Sequence, residues 1–214
     1  DTILDTACGP CTISRILKRP VISVDMNRHQ LDFGVEACQD NEITTDQVFV
    51  GDMTNLQSLI PYTQFDDDAY DTSARYSQTE GLQDNTVDLV VSSLAFDLLD
   101  QQGRRKFLSE AHRVLRDDKY LLMIIPAKKI DAQARPAFID DVQACGFKAS
   151  QYFTGTYQAY HGDAMEPLDA YVLVAHKYGE PTQEDLELRL RPETRVIEDV
   201  KESNGTRKRK REHR

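Results

Sequence analysis

Tryptophan is absent from this chain, and cysteine, glycine and proline are scarce, at four, ten and eight among 214 residues. Four cysteines, at 8, 11, 38 and 145, are too few for the disulfide framework of a small secreted domain. Only Cys8 and Cys11 form a C-x-x-C pair, and no second pair or H-x-x-x-H follows, so the sequence does not assemble a four-ligand zinc site. No stretch nears the roughly 18 consecutive apolar residues of a membrane-spanning helix. No signal-peptide pattern is visible at the start, which opens directly on a strand-like run. No internal repeat is apparent.

What the chain does hold is enough for a core. Its 40% hydrophobic content is not that of a disordered sequence, and its length suits one domain with extensions. The charge is uneven. Residues 201–214 carry seven Lys/Arg against two Asp/Glu, a net of +5, so the first 200 residues carry −15 within a chain of −10. An acidic body is a poor general binder of phosphate backbones. The basic run 207–211 suits a phosphate contact or a nuclear address.

Strand and helix patterns alternate along most of the length. Ile3 and Leu4 lie in a short strand, and Ile13, Ile16 and Leu17 mark a helix at i, i+3, i+4. A second strand over 20–25 ends on Asp25, a helix follows on Leu31, Val35 and Cys38, and a third strand over 47–52 ends on Asp52. The pattern lapses over 61–81, an acidic stretch with Asp66, Asp67, Asp68 and Asp71 that reads as a long surface loop and a possible protein contact. Val87 to Ser93 is nearly continuous in apolar character, as for a strand covered on both faces. Phe107, Leu108, Ala111, Val114 and Leu115 then form an amphipathic stripe with His112 on its surface, and 120–126 is the next buried strand. A helix follows with Pro136 in its first turn and Gly146 at its C-terminal cap. Two last strands, over 147–153 and 169–176, read as an antiparallel pair around a loop holding His161, Gly162 and Pro167. From 179 the chain turns charged, and 179–214 reads as an extension outside the core. The alternation predicts an α/β domain with a mostly parallel sheet and helices on both faces. Ligands of such sheets bind beyond the carboxyl ends of the strands.

Those ends carry an ordered set of residues. The first strand gives the turn from Asp5 through Ala7, Cys8 and Gly9 to Cys11; the second gives Asp25 and Met26, twenty residues after Asp5. That spacing suits an acid reaching ribose hydroxyls. The third gives Asp52 and Met53, a carboxylate and a flat-packing thioether, and the fourth gives Ser92, Ser93, Leu94 and Ala95. Asp97, just beyond, reads either as a base or amine-orienting group or as the N-cap of a helix starting near Leu98. Tyr157 and Tyr160 are candidates for stacking a base.

Taken together, these motifs resemble those of class I S-adenosylmethionine (SAM)-dependent methyltransferases over residues 1–178. The run from Ile3 to Cys11 resembles the family's glycine-rich first motif, with Gly9 as its one remaining glycine and Ala7 and Cys11 in the other two places. Asp25 matches the ribose acid, Asp52 and Met53 the adenine-side pair, and Asp84 to Val91 the fourth-strand motif. The resemblance implies a Rossmann-like, seven-stranded sheet with a C-terminal antiparallel hairpin, SAM as cofactor, and Asp5, Ala7, Cys8, Gly9, Asp25, Met26, Asp52, Met53, Ser93 and Leu94 around it. A glycine-bearing turn is expected before the fifth strand, and Arg116 to Lys119 stand there instead. Within the family the Cys-Gly-x-Cys turn, the Asp-Met pair and the helix from Phe107 to Leu115 are most similar to the nucleolar adenine-N1 methyltransferases of ribosomal RNA processing. That narrower likeness implies an RNA base as acceptor and a nuclear or nucleolar location.

Three other readings stay open. The acidic body favours a small-molecule acceptor. The missing glycines favour a non-catalytic binding module on the same fold. Cys8-Gly9-Pro10-Cys11, after a strand and opening a helix, resembles the dithiol of thioredoxin. Against that last reading stand the lack of any Trp before Cys8, the missing leading strand and helix, and the unexplained Asp25 and Asp52.

Overall fold

The alternating pattern folds into one mixed sheet in a computed structural model, which describes residues 1–64, 81–130, 134–161 and 164–178. Most of the acidic stretch, 65–80, and the charged extension 179–214 with its basic run lie outside the described residues. In chain order the elements are β1 (Ile3–Thr6), α1 (Thr12–Leu17), β2 (Ile22–Asp25), α2 (Arg28–Gln39), β3 (Val48–Val50), β4 (Ile60–Pro61), β5 (Val87–Ser93), α3 (Gln101–Val114), β6 (Leu115–Pro126), α4 (Ala134–Ala144), β7 (Phe147–His161) and β8 (Ala164–Lys177). The sheet order is β4-β3-β2-β1-β5-β6-β8-β7. Strands β3, β2, β1, β5 and β6 run parallel, and β4, β8 and β7 are antiparallel to their neighbours. The order reverses at β1, so the chain ends of β1, β2 and β5 meet where an open α/β sheet offers a crevice.

Helices cover both faces, and the packing shows it. Val48 and Phe49 are neighbours on β3 and must point to opposite faces. Val48 packs with Cys8, Cys11, Leu31, Val35 and Cys38 under α1 and α2. Phe49 joins the larger core with Leu4, Val24 and Val90, where α3 contributes Phe107, Leu108 and Ala111 and α4 contributes Phe138, Ile139 and Val142. That core holds an edge-to-face aromatic chain from Phe107 through Phe96 and Phe138 to Tyr171, with centroids 5.8, 5.4 and 6.3 Å apart.

Four local departures from the sequence pattern have physical causes. The sheet has eight strands rather than seven, because Ile60 and Pro61 pair with Val50 and Phe49 as a two-residue edge where a loop is expected. β6 starts at Leu115, five residues early, and its register to β5 slips between Val87 and Leu89. Asp118, at φ 60°, takes the left-handed conformation there, so an aspartate does what a turn glycine would do. Strands β7 and β8 run on to a hairpin tip where His161 pairs with Ala164, so Pro167 sits in β8 opposite Gln158 and not in a loop. His112 is half-buried rather than on the surface, its ring edge-on to Phe147 at 5.3 Å, and burial lowers its pKa. No described helix is long and apolar enough to cross a membrane.

Candidate active site at the strand ends

The turn after β1 is built on three left-handed residues, Ala7 (φ 52°), Gly9 (φ 53°) and Cys11 (φ 52°). The backbone therefore keeps the course that three glycines would give it, with side chains at two of the three places. A left-handed L-residue costs roughly 1–2 kcal/mol. Replacing Ala7 by Gly is accordingly expected to stabilise the fold by about 0.5–1 kcal/mol, after the greater freedom of the unfolded glycine is subtracted. The check is a urea midpoint that rises at constant slope; a fall would show that the Ala7 methyl packs better than its backbone strains.

The turn is held from below and behind. Gly34 of α2 is where a Cβ would lie 2.6 Å from the Pro10 carbonyl carbon and 2.8 Å from the Cys11 Sγ, so only glycine lets α2 approach this closely. The Cys8 N–H donates to the Val24 carbonyl at 3.1 Å. Asp25, 9% exposed, accepts from the Gly9 N–H on Oδ2 at 2.8 Å and from the Asn27 N–H on Oδ1 at 2.7 Å. The acid expected to face a ribose thus also ties the first turn to the end of β2. Each of its oxygens keeps a lone pair for a further donor.

Asp5 lies on the same sheet face, two strand residues from the turn, and is 2% exposed. Its carboxylate accepts from the Ile13 backbone N–H, while Oδ1 has no hydrogen-bond partner. Burial, reinforced by the neighbouring Cys11 and Asp25, pushes its pKa up to about 8. A cationic donor would satisfy this orphaned carboxyl oxygen just before the turn.

The remaining expected residues divide. Met26 at the end of β2 is 74% exposed, a large apolar side chain left open beside Asp25. Asp52 is exposed and accepts from the Thr54 N–H at 2.8 Å, as in an Asx turn. Met53 is 7% exposed and packs into the main core, so of the two thioethers it is Met26 that presents a surface. Beyond β5, Leu94 is left-handed (φ 58°) and its N–H donates to the Ile124 carbonyl at 2.8 Å, which re-aims the chain between Ser93 and Ala95. Asp97 does not cap a helix. It sits in a 3₁₀ turn, Phe96–Leu98, and Asp100 is the cap of α3, accepting from the Gly103 N–H at 2.7 Å. Asp97 Oδ1 is buried without a partner, as are Ser92 Oγ, near the end of β5, and Arg104 Nε. Arg104 lies over the Phe96 ring at 5.4 Å and donates to the Asp97 carbonyl at 3.4 Å. It was not among the expected residues. His161 and the tyrosines 157 and 160 belong to the β7 hairpin, away in sequence and register from this turn. No group of three or more His, Cys, Asp or Glu side chains is placed to hold a metal among the described residues. A shallow cavity of about 480 Å³ lies elsewhere, along α3 between Thr54, Gln101, Arg105 and Glu110; it does not include the turn.

A sequence profile described as a methyltransferase domain matches residues 4–123, more than half of the chain. The chain belongs to that methyltransferase family. The match spans β1 to the middle of β6, and so takes in every strand end described above. Solved structures repeat the fold. A SAM-dependent methyltransferase from Methanosarcina mazei is 15% identical, with a TM-score of 0.60 over 84% of this chain and 93% of that one. A TehB-like SAM-dependent methyltransferase from Corynebacterium glutamicum is 18% identical, with a TM-score of 0.53 over 82% and 79%. A candidate RNA methyltransferase from Pyrococcus horikoshii is 17% identical, with a TM-score of 0.55 over 83% and 75%. At these identities the likeness is one of fold. No curated protein sequence matches the chain.

The methyltransferase reading also disposes of the dithiol one. Cys8 and Cys11 are 6% and 0% exposed, packed with Leu31, Val35 and Val48 in the turn between β1 and α1, whereas a dithiol catalyst needs a thiol open to its substrate.

Proposed function

We propose that this methyltransferase uses SAM to methylate an RNA base. The observation that carries the cofactor half is the juxtaposition of Asp5, with its orphaned Oδ1, and Asp25, with both oxygens partly engaged, around one left-handed turn. In this reading Asp5 accepts from the cofactor's ammonium group, and the Ala7–Gly9 backbone lies along its methionine end. Asp25 accepts from the ribose hydroxyls. Met26 covers one face of the adenine, and Asp52 and Met53 stand on the adenine side. When bound, the cofactor supplies a methyl group made electrophilic by its sulfonium sulfur. The protein's own part is positioning and exclusion of water. Ser93, Leu94 and Ala95 wall the transfer site, and Asp97, with its free Oδ1, orients an acceptor amine or takes its proton.

The RNA half rests on the likeness to the rRNA-processing enzymes and on the basic run 207–211, which offers phosphate contacts and a nuclear or nucleolar address. The acidic stretch 61–81 offers a protein contact. A second reading, a small-molecule acceptor, is favoured by the −15 charge of the first 200 residues.

Calorimetric titration with S-adenosylhomocysteine tests the cofactor site, with micromolar binding expected. Transfer of labelled methyl to ribosomal RNA, against a pool of small metabolites, tests the acceptor. RNA labelling that falls steeply with salt supports the first reading; labelling of small molecules alone supports the second. Binding without any transfer would leave a non-catalytic module.

A further inference from the structure

In a sequence with 36 Asp/Glu against 26 Lys/Arg, a cation finds a carboxylate easily. Arg28, Arg105, Arg113 and Arg116 each pair with one, at 2.7–3.0 Å. Arg104 and Arg135 do not. Both are half-buried, neither has a carboxylate within salt-bridge reach among the described residues, and the Nε of each is buried without a partner. Each guanidinium instead lies over a ring, Arg104 over Phe96 at 5.4 Å and Arg135 over Tyr171 at 5.2 Å. Phe138 joins those rings, with centroids 5.4 and 6.3 Å away, so the two cations cap one aromatic row. A guanidinium stacked on a ring is held in place and keeps N–H donors for an anion.

Topology puts both arginines where the acceptor must enter. β5 and β6 are parallel neighbours, with Ser93 opposite Ile124. α3 follows the carboxyl end of β5, with Arg104 near its start, and α4 follows that of β6, with Arg135 in its first turn. Both helices pack on one face of the sheet, in the core that holds Phe107 and Phe138. Between β6 and α4 come Lys128 and Lys129, both exposed. The carboxyl ends of the strands are thus divided by charge. Asp5, Asp25 and Asp52 stand at β1 to β3, and four cations stand at β5 and β6. Two acids share the cationic half: Asp100 is taken up by the Gly103 N–H at 2.7 Å, and Asp97 is the residue assigned to the acceptor amine. A sulfonium cofactor suits the acidic half, and an anionic acceptor suits the other. Its cations are spread over two strand ends and two helix starts, which suits successive phosphates better than a single carboxylate.

We propose that Arg104 and Arg135 hold backbone phosphates of the acceptor RNA, laid along the β5–β6 ends so that its target base enters beside Asp97. A base stacked in a duplex cannot reach that carboxylate, so the strand is single there. The arginines are positioning residues and take no part in the transfer itself. The inference rests on the RNA reading above and gives the strand an anchor in the folded domain besides the basic run 207–211.

The experiment measures binding of a short fluorescent single-stranded RNA to the full chain across salt, with S-adenosylhomocysteine affinity on the same samples. Each phosphate contact of a single strand adds about 0.7 to the slope of log affinity against log salt, or about fivefold for each tenfold in salt. Arg104→Gln and Arg135→Gln are each expected to lower the slope by about 0.7, and the double variant by about 1.4. S-adenosylhomocysteine affinity is expected to stay at the parent value, and KM for ribosomal RNA to rise by more than kcat falls. Arg104→Lys and Arg135→Lys lose the ring fit but keep the charge, so the parent slope is expected to persist. A purely structural role would instead lower affinity in the Lys and Gln variants alike, at an unchanged slope, and so overturn the proposal. Lys18→Gln removes the same charge beyond α1, at the amino end of the sheet, and is expected to leave the slope unchanged. Parent slopes in both Gln variants overturn the proposal and leave the RNA reading standing. A parent chain that binds S-adenosylhomocysteine but not RNA overturns both and leaves the cofactor site. Free nucleoside monophosphates that compete as well as unlabelled RNA, phosphate for phosphate, overturn the strand, and methyl transfer to small carboxylates alone does the same.

Discussion

Asp25→Ala is expected to lower S-adenosylhomocysteine affinity by at least about a hundredfold and to destabilise the fold at the same time. The first effect follows from losing a charged acceptor for the ribose hydroxyls. Hydrogen bonds to a charged group are worth about 1.5–3 kcal/mol each, and every 1.4 kcal/mol is a factor of ten. The second follows from the geometry, because Asp25 also receives the Gly9 and Asn27 N–H groups. Leaving two sheltered donors without acceptors costs about 1–3 kcal/mol apiece. Asp25→Asn separates the two roles. Its one carbonyl oxygen keeps one of the two backbone bonds, so stability falls less, but the charge is gone and affinity still drops tenfold or more. Calorimetry and a urea melt on both variants read the two effects. Affinity unchanged in a folded Asp25→Ala protein would remove Asp25, and with it the strand-end assignment, from the cofactor site.

That double duty was not legible in the sequence, though much around it was. The parallel sheet was readable because a strand covered on both faces must be apolar almost throughout, and the run from Val87 to Ser93 has the same ends in the sequence and in β5. Asp5 and Asp25 were readable as a pair because strand–helix units have a regular length. β4 was not readable, since two residues carry no periodicity and one of them is a proline. The early start of β6 was hidden by the charged run from Arg116 to Lys119, whose side chains are mostly exposed on a strand extended beyond the core. Asp97 and Asp100 are both acids ahead of an amphipathic stripe, and only the interposed 3₁₀ turn makes Asp100 the cap. Met53 looked like a ligand-facing thioether by its place after Asp52, yet the loop folds it into the core, leaving Met26 open instead. Arg104 gave no signal at all, because a cation on a helix is usually solvated, and its placement over Phe96 depends on the 3₁₀ turn that carries that ring. The same holds for Cys38, which reaches Cys11 only because Gly34 lets α2 close on the turn.

Binding of SAM or S-adenosylhomocysteine near neutral pH is expected to expel about one proton, and Asp5 is its source. The free carboxyl, with its pKa near 8, is protonated at pH 6.5–7, held neutral mainly by burial and then by Cys11 and Asp25. An ammonium group placed at Oδ1 supplies the missing partner and reverses the balance, so the carboxyl must ionise as the ligand enters. Affinity then rises by up to tenfold per pH unit below about 8. The ligand's own α-amino group, ordinarily titrating near 7.7–8.0, opposes the trend above that range, so the clean window is pH 6–7.5. Calorimetry in buffers of differing ionisation enthalpy counts the protons directly: close to one released for the parent protein, none for Asp5→Asn. Stability runs in the other direction. Between the ordinary aspartate value near 3.8 and about 8 the folded chain holds a proton at Asp5 that the unfolded chain has lost. Asp5 therefore contributes fully below about 3.8, and its contribution drains away as pH rises to about 8. Asp5→Asn carries no such slope. The variant is expected to bind ligand at least tenfold more weakly at pH 7.5, yet to outlast the parent in urea by a margin that widens from pH 5.5 to 8. Equal melts at both pH values would show that Asp5 is ionised in the free protein, and a proton count of zero would place the ligand's ammonium group elsewhere. The acid that weakens the empty fold is, on this account, the one that the cofactor neutralises.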